Sequence, residues 1–366
     1  MSNAVSINAR KEHFRESVII SCVSMIISLI IGAILLYLSG YSPMRSYATI
    51  FGYSLGSLKG FALSLSQATP LLFTGLSFAI AYKVKMINTG AEGQLYLGAI
   101  TAALTGYYFG ALPSFLLIPI CFISAALAGG LAAAFVAFLK NKFGASEIIL
   151  TLMMNEVIIY ITSYLANGPF KAEGSVIAQT ERISETAKLS KLIPQTQLTS
   201  AFILGIAIAL MLQFMLNKTV FGYEIKVTGY NLKAARTAGI NAKRTYFYTF
   251  FISGAVAALG GAALVLGVNY RFVEGFSQNF GFGGISVAAL AGYSPAGVIL
   301  SSFLIGVMKA GSVNANRITQ MPTDFVSLIQ VLVVIFVAAP MLIKSIGKIP
   351  SRVIESIKKR KSEVVR

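Results

Sequence analysis

The sequence predicts an all-α polytopic membrane protein, with about ten transmembrane helices (8–10) and short broken helices near 283–311. Three observations carry this. The 366 residues are 56% hydrophobic and only 12% charged, against roughly 25% charged in a soluble domain. The mean hydropathy is +0.75. The apolar residues gather into runs of about 20, the length that crosses a hydrocarbon core as a helix.

Taken in order, the predicted spans are 17–38, 62–82, 87–109, 112–139, 148–166, 200–216, 246–268 and 323–343. Val18–Leu38 is longer than the apolar part of a signal peptide and no small-x-small cleavage site follows it, so it reads as the first span. The region 283–311 is apolar but interrupted by Gly292-Tyr293-Ser294-Pro295-Ala296-Gly297. Gly/Pro breaks at membrane depth need protein or a cavity around them.

The net charge of +17 lies in short segments between the spans, as the positive-inside rule expects. Nucleic-acid binding is therefore not expected. Arg10, Lys11 and Arg15 place the 1–16 tail in the cytoplasm. Lys83, Lys85, Lys140, Lys142, the run from Lys218 to Arg244 and the basic tail 344–366 then fall on the same side. The loop 168–199 balances four cations against Glu173, Glu181 and Glu185, as an outside loop should. With the span ending at Val268 exiting outward and the tail inside, 269–343 must cross an odd number of times, and two short spans hinged at Tyr293-Ser294-Pro295 satisfy this.

Several chemistries are excluded. Cys22 and Cys121 lie in apolar runs and His13 is the only histidine, so neither a disulfide framework nor a zinc site is expected, and no metal is assigned. No G-x-x-x-x-G-K-[ST] loop occurs, so the chain should not hydrolyse ATP.

Three stretches stand out. The first is "INTGAEGQLYLG", residues 87–98. On a continuous helix Asn88 and Glu92 share a face with Tyr96, and Gln94 points elsewhere. A carboxylate at the centre of a membrane helix costs about 2.5–3.5 kcal/mol by insertion scales. Two readings stay open: a pathway or gate element, and a hydrogen-bonded knot that fixes a broken helix. In the second stretch Glu147, Thr151, Asn155 and Thr162 fall on one face of the fifth span, opposite Ile, Leu and Met. That stripe lines a pore or bonds a neighbouring helix; Glu156 is left unplaced. The third is the loop 217–246. Asn231 is a good N-cap, Leu232–Ala238 a short Ala-rich helix and Gly239 a C′ residue. Ala234, Ala235 and Ala238 form a small smooth face flanked by Lys233 and Arg236, fit for a partner's groove or for a plain surface helix.

Small residues mark helix contacts. Ser253, Ala257 and Gly261 form one ridge, and Gly254, Ala258 and Ala262 its neighbour. Ala128-Gly129-Gly130 and Leu259-Gly260-Gly261 echo one another loosely.

These stretches together resemble the permease subunits of ABC importers in the branched-chain amino acid and simple-sugar group, nearest to the nucleoside branch. "NTGAEGQLYLGA" is similar to that branch's N-x-G-A-E-G-Q signature, with Thr89 in place of a commoner Ile. "GASEIILTLMMN", "GYNLKAARTAGI" and "GFGGISVAALAGYSPAG" resemble its next segment, its coupling loop and its late broken helix. The resemblance covers about residues 40–343. It implies a permease domain over 17–343, with 168–199 as extracellular loop and 217–246 as cytoplasmic coupling loop. It also implies cytoplasmic ATP-binding subunits that hold ATP-Mg, a second homologous permease (a heterodimer over a homodimer) and an extracellular substrate-binding lipoprotein in a prokaryotic plasma membrane. No cofactor is expected on this chain. Asn231–Gly239 would dock on the ATPase, and Asn88, Glu92, Gln94, Glu147, Thr151 and Asn155 are candidates for the path or gate. An ion-coupled secondary transporter remains the alternative of a different class, with Glu92 or Glu147 as coupling carboxylate; it has no need of an Ala-faced cytoplasmic helix.

Overall fold

The computed structural model describes residues 25–338, together with Val23. The 1–16 tail, the first residues of the first span, the last residues of the final span and the 344–366 tail lie outside the described residues. Thirteen α-helices follow one another there: α1 (Met25–Leu38), α2 (Pro43–Gly56), α3 (Leu58–Lys83), α4 (Ala91–Tyr108), α5 (Ser114–Phe143), α6 (Glu147–Asn167), α7 (Ala201–Lys218), α8 (Val220–Tyr230), α9 (Leu232–Thr237), α10 (Ala242–Leu264), α11 (Phe280–Leu290), α12 (Pro295–Thr319) and α13 (Asp324–Ala338). The chain is an all-α polytopic membrane protein. Among the described residues six helices are long and apolar enough to cross a membrane: α3, α5, α6, α7, α10 with its π-helical extension to Asn269, and α12.

Helices α3 and α10 are the most enclosed and α6 the least. The two central helices pack on each other; α10 also packs against α4 and α5, and α3 against α11 and α12. Small residues make these contacts close. Gly261 packs on α4 and Gly254 on α5, while Ala258 lies against both Gly98 of α4 and Gly129 of α5. A Cβ on Gly261 would collide with the Leu95 carbonyl oxygen and lie 2.8 Å from the Ala99 nitrogen; one on Gly129 would lie 2.7 Å from the Gly254 oxygen.

The late region differs from two short spans. The hinge is where the Gly/Pro pattern puts it: Gly292 and Tyr293 both have positive φ, Ser294 is the N-cap and Pro295 opens α12. The two sides are unequal. α12 has 25 residues and spans fully, whereas α11 has 11, about 16 Å at 1.5 Å per residue and half of a ~30 Å core. An irregular segment, 270–279, leads into it from the π-helical end of α10.

The loop 168–199 contains no span. It folds over one end of the bundle, where Thr180, Ile183 and Leu189 donate backbone bonds to Phe272, Tyr270 and Leu266. α8 and α9 lie at the opposite end, beside the start of α10. α2 and α8 are helices that run-length reasoning leaves out, since neither is apolar enough to register as a span.

Candidate functional site

α4 does not begin where the apolar run suggests. α3 ends at Lys83, Lys85 turns left-handed at φ 58°, and the chain stays non-helical to Gly90. Asn88 is therefore off the helix, and the shared face with Glu92 does not exist. Its side chain instead closes the turn, its oxygen accepting from the Gly90 N–H at 3.2 Å. Its amide nitrogen donates to Gln94 Oε1 at 2.8 Å and to Ser253 Oγ at 2.8 Å, and Gln94 Nε2 returns a bond to Asn88 Oδ1 at 3.1 Å. Ser77 joins through the Ser253 hydroxyl at 2.9 Å. Gln94, expected to point away, is Asn88's main partner. Four polar side chains thus tie α3, α4 and α10 together with their groups satisfied, as burial requires. Ser253 is about 17 Å along α10, so this knot and the start of α4 lie near mid-depth.

Glu92 is 4% exposed and faces the first turn of α11. Its carboxylate accepts the Gly281 N–H and hydrogen-bonds the Phe282 N–H and the Ser277 hydroxyl. The free N–H groups of a helix N-terminus need acceptors, and the helix dipole favours an anion there. Glu92 is buried against them, and its carboxylate accepts. Across the same turn the Lys309 ammonium donates to the Gln278 carbonyl at 2.8 Å and lies 4.5 Å from the Phe280 ring centroid. The stretch is a hydrogen-bonded knot ahead of a helix that starts at Ala91, and Glu92 joins the starts of α4 and α11. The approach is close; a Cβ on Gly281 would fall on the backbone of Glu92.

The fifth-span stripe turns inward. Thr151, Asn155 and Thr162 are all buried. Asn155 Oδ1 accepts the Gly93 N–H, Thr151 and Thr89 share a hydroxyl bond of 2.6 Å, and Glu147 pairs with Lys140 at 2.6 Å. Asn155 and Thr151 tie α6 to Gly93 and to the turn before α4, Glu147 ties it to Lys140 of α5, and Thr162 bonds Ile159 within its own helix.

At the far end, Asn231 caps α9 as expected, its oxygen accepting from Lys233 N at 3.0 Å and Ala234 N at 3.1 Å. Gly239 has φ 77°. Its N–H bonds Arg236 O, and the Ile240 N–H bonds Ala235 O. That is a Schellman close. The Ala face needs one correction. Ala235 is 0% exposed and packs inward, while Ala234 and Ala238, one turn apart, are exposed with Lys233, Arg236 and Thr237. With only six residues, α9 is held by its caps and by Ala235 rather than by helix propensity.

A family model described as "Branched-chain amino acid transport system / permease component" matches residues 60–338. The chain belongs to this family of ABC importer permease subunits. The guanosine ABC transporter permease protein of Bacillus subtilis is 31% identical to this permease over 341 residues, 91% of this chain and 97% of that one. The nucleoside ABC transporter permease protein NupB of Lactococcus lactis is 30% identical, with 90% and 93% covered. A glucose ABC transporter permease protein of Haloferax volcanii is 31% identical, with 86% and 85% covered. The permease's two half-span features, the start of α4 and the start of α11, both lie within the matched residues.

Proposed function

We propose that this permease imports nucleosides, driven by ATP that a separate cytoplasmic subunit binds with Mg and hydrolyses. A second homologous permease completes the path, and an extracellular lipoprotein delivers the solute. The nucleoside assignment leans on the Bacillus and Lactococcus relatives; the glucose relative keeps a simple sugar as the second reading. Ion coupling loses its motive, because Glu92 is occupied as a helix cap and Glu147 by Lys140.

In this reading the chain crosses the membrane ten times. α1, α3, α4, α5, α6, α7 and α10 give seven crossings. The 270–279 segment with α11 makes the eighth, and α12 and α13 complete the count. Both termini are then cytoplasmic, 168–199 is outside and 217–246 inside, and 269–338 crosses three times, an odd number. Without a phosphate loop the chain is not expected to hydrolyse ATP itself.

The observation that carries the ATP-driven reading is α9: a doubly capped stub at one end of the bundle that presents Ala234 and Ala238 to solvent. A short rigid helix with a smooth face fits a groove on a partner. Ala234→Trp is therefore expected to insert into the membrane normally yet bind the ATPase roughly five- to 150-fold more weakly, since overpacking a fitted contact costs about 1–3 kcal/mol. Ala235→Trp, by contrast, should damage the loop itself. Lys233→Ala should change little, as exposed charges contribute about 0–1 kcal/mol. Co-purification of the ATPase with each variant, followed by solute-stimulated hydrolysis, checks this. Full binding and coupling in Ala234→Trp would make α9 an ordinary surface turn.

A further inference from the structure

Each polar side chain first suggested for the path already has a hydrogen-bond or ion-pair partner within the chain. One charged residue remains unexplained. Glu156 stands near the middle of α6, solvent-exposed in the chain, with no hydrogen bond or ion pair among the described residues. It follows Asn155, which bonds Gly93, so Glu156 lies at the depth of the α4 and α11 starts. A carboxylate facing lipid there costs about 2.5–3.5 kcal/mol by insertion scales.

Its helix face is not a lipid face. Glu156, Tyr160, Ser163 and Asn167 recur at i, i+4, i+7 and i+11, one stripe of α6. Tyr160 is 71% exposed. At the loop end of the stripe, Ser163 Oγ and Asn167 Nδ2 donate to the carboxylate of Glu274. Glu274 belongs to the irregular segment that leads to α11, so that segment is anchored at the loop end of the stripe. At its foot Gln278 and Asn279 are exposed, and the Gln278 carbonyl takes the Lys309 ammonium. Polar groups therefore continue from the loop end to mid-depth and stop there. Below Glu156 the same stripe is Met153 and Ile149, both exposed and apolar. The exposed face of α5, with Ile123, Leu127, Leu131 and Phe135, shows what a lipid-facing surface of this chain looks like.

We propose that Glu156, Tyr160 and Ser163 on α6, with Gln278, Asn279 and Lys309 at the foot of the Glu274-anchored segment, line the water-filled route for solute. The route is polar down to mid-depth and closed below by Met153. Opposite charges at one depth, Glu156 and Lys309, leave no single-sign field, and the amides and the tyrosine supply donors, acceptors and a ring face. That lining suits a neutral solute rich in hydrogen-bonding groups. This inference rests on the importer reading, and its solute class on the nucleoside assignment.

The test uses the full chain assembled with its partners, in a background with Cys22→Ala and Cys121→Ala. Glu156→Cys, Tyr160→Cys and Gln278→Cys are treated with a charged, membrane-impermeant thiosulfonate from the loop side. Ile161→Cys, on the neighbouring apolar face of α6, is the control. Only the thiolate reacts, and apolar surroundings suppress it. At a water-lined position the expected rate is therefore at least about tenfold above the control. Tyr160→Cys keeps the test decisive if removing Glu156 prevents assembly. Rates no faster than Ile161→Cys at the assembled variants overturn the route. Guanosine, supplied with the binding protein, should slow labelling. Fast labelling that guanosine does not slow keeps the route and overturns the nucleoside assignment.

Discussion

Glu92→Leu is expected to prevent stable assembly, whereas Glu92→Gln assembles and transports at reduced rate. The leucine leaves the Gly281 and Phe282 N–H groups without acceptors in a site that water does not reach. Each orphaned donor costs about 1–3 kcal/mol, and the lost anion at the helix N-terminus adds about 0.3–2 kcal/mol. The sum is a large part of the roughly 5–15 kcal/mol that holds a folded domain together. Glutamine keeps an acceptor oxygen and loses only the charge. Thermal melting of the purified subunit in detergent, with transport by the assembled complex, separates the two. A leucine variant that melts and transports like the parent would remove Glu92 from the support of α11.

Gly261→Ala is expected to destabilise by about 1–3 kcal/mol or more, while Gly52→Ala stabilises by about 0.5–1 kcal/mol. Both substitutions add one methyl group to a helix. At Gly52 it meets nothing within 4 Å, so only the helix preference for alanine acts. At Gly261 it runs into the backbone of Leu95 and Ala99. Backbone cannot turn aside as a side chain can, so α4 and α10 must separate. Separation also stretches the Asn88–Ser253 bond, and the loss should exceed that of a simple overpacked core. Melting temperatures of the two variants beside the parent check the opposite signs; equal shifts would mean that the α4–α10 contact is looser than it stands here.

Much of the fold was legible in the sequence because its signals are local. Asn231 and Gly239 mark the ends of α9 by cap chemistry that needs no tertiary partner. The Gly292–Pro295 hinge is written in backbone preferences in the same way. The small-residue ridges of α10 were visible too, although nothing in their spacing says that Ala258 meets both α4 and α5.

What stayed hidden depends on partners distant in sequence. The run 87–109 is uniformly apolar around its polar patch, so composition does not reveal that the helix waits until Ala91. That delay rests on Asn88 reaching Ser253, 165 residues away. Glu92 shows no partner in the sequence, because the helix it caps, α11, comes 189 residues later. The unequal division of 283–311 follows from the same contact, since a helix can start at mid-depth only where something accepts its N–H groups. Ala235 and Ala234 are identical in the sequence; burial alone distinguishes them. Glu156 could not be placed from its angle to Asn155, because the segment bonded to its stripe, through Glu274 on Ser163 and Asn167, is distant in sequence.

The most direct test of the whole account is reconstitution. Liposomes carrying this subunit alone, and liposomes carrying it with the ATPase, the second permease and the binding protein, are compared for guanosine uptake under ATP, under a proton gradient and under a sodium gradient. The account predicts no uptake by the subunit alone under any condition. It predicts ATP-dependent uptake by the full assembly, with guanosine displacing labelled nucleoside and glucose failing to. Gradient-driven uptake by the subunit alone would contradict it.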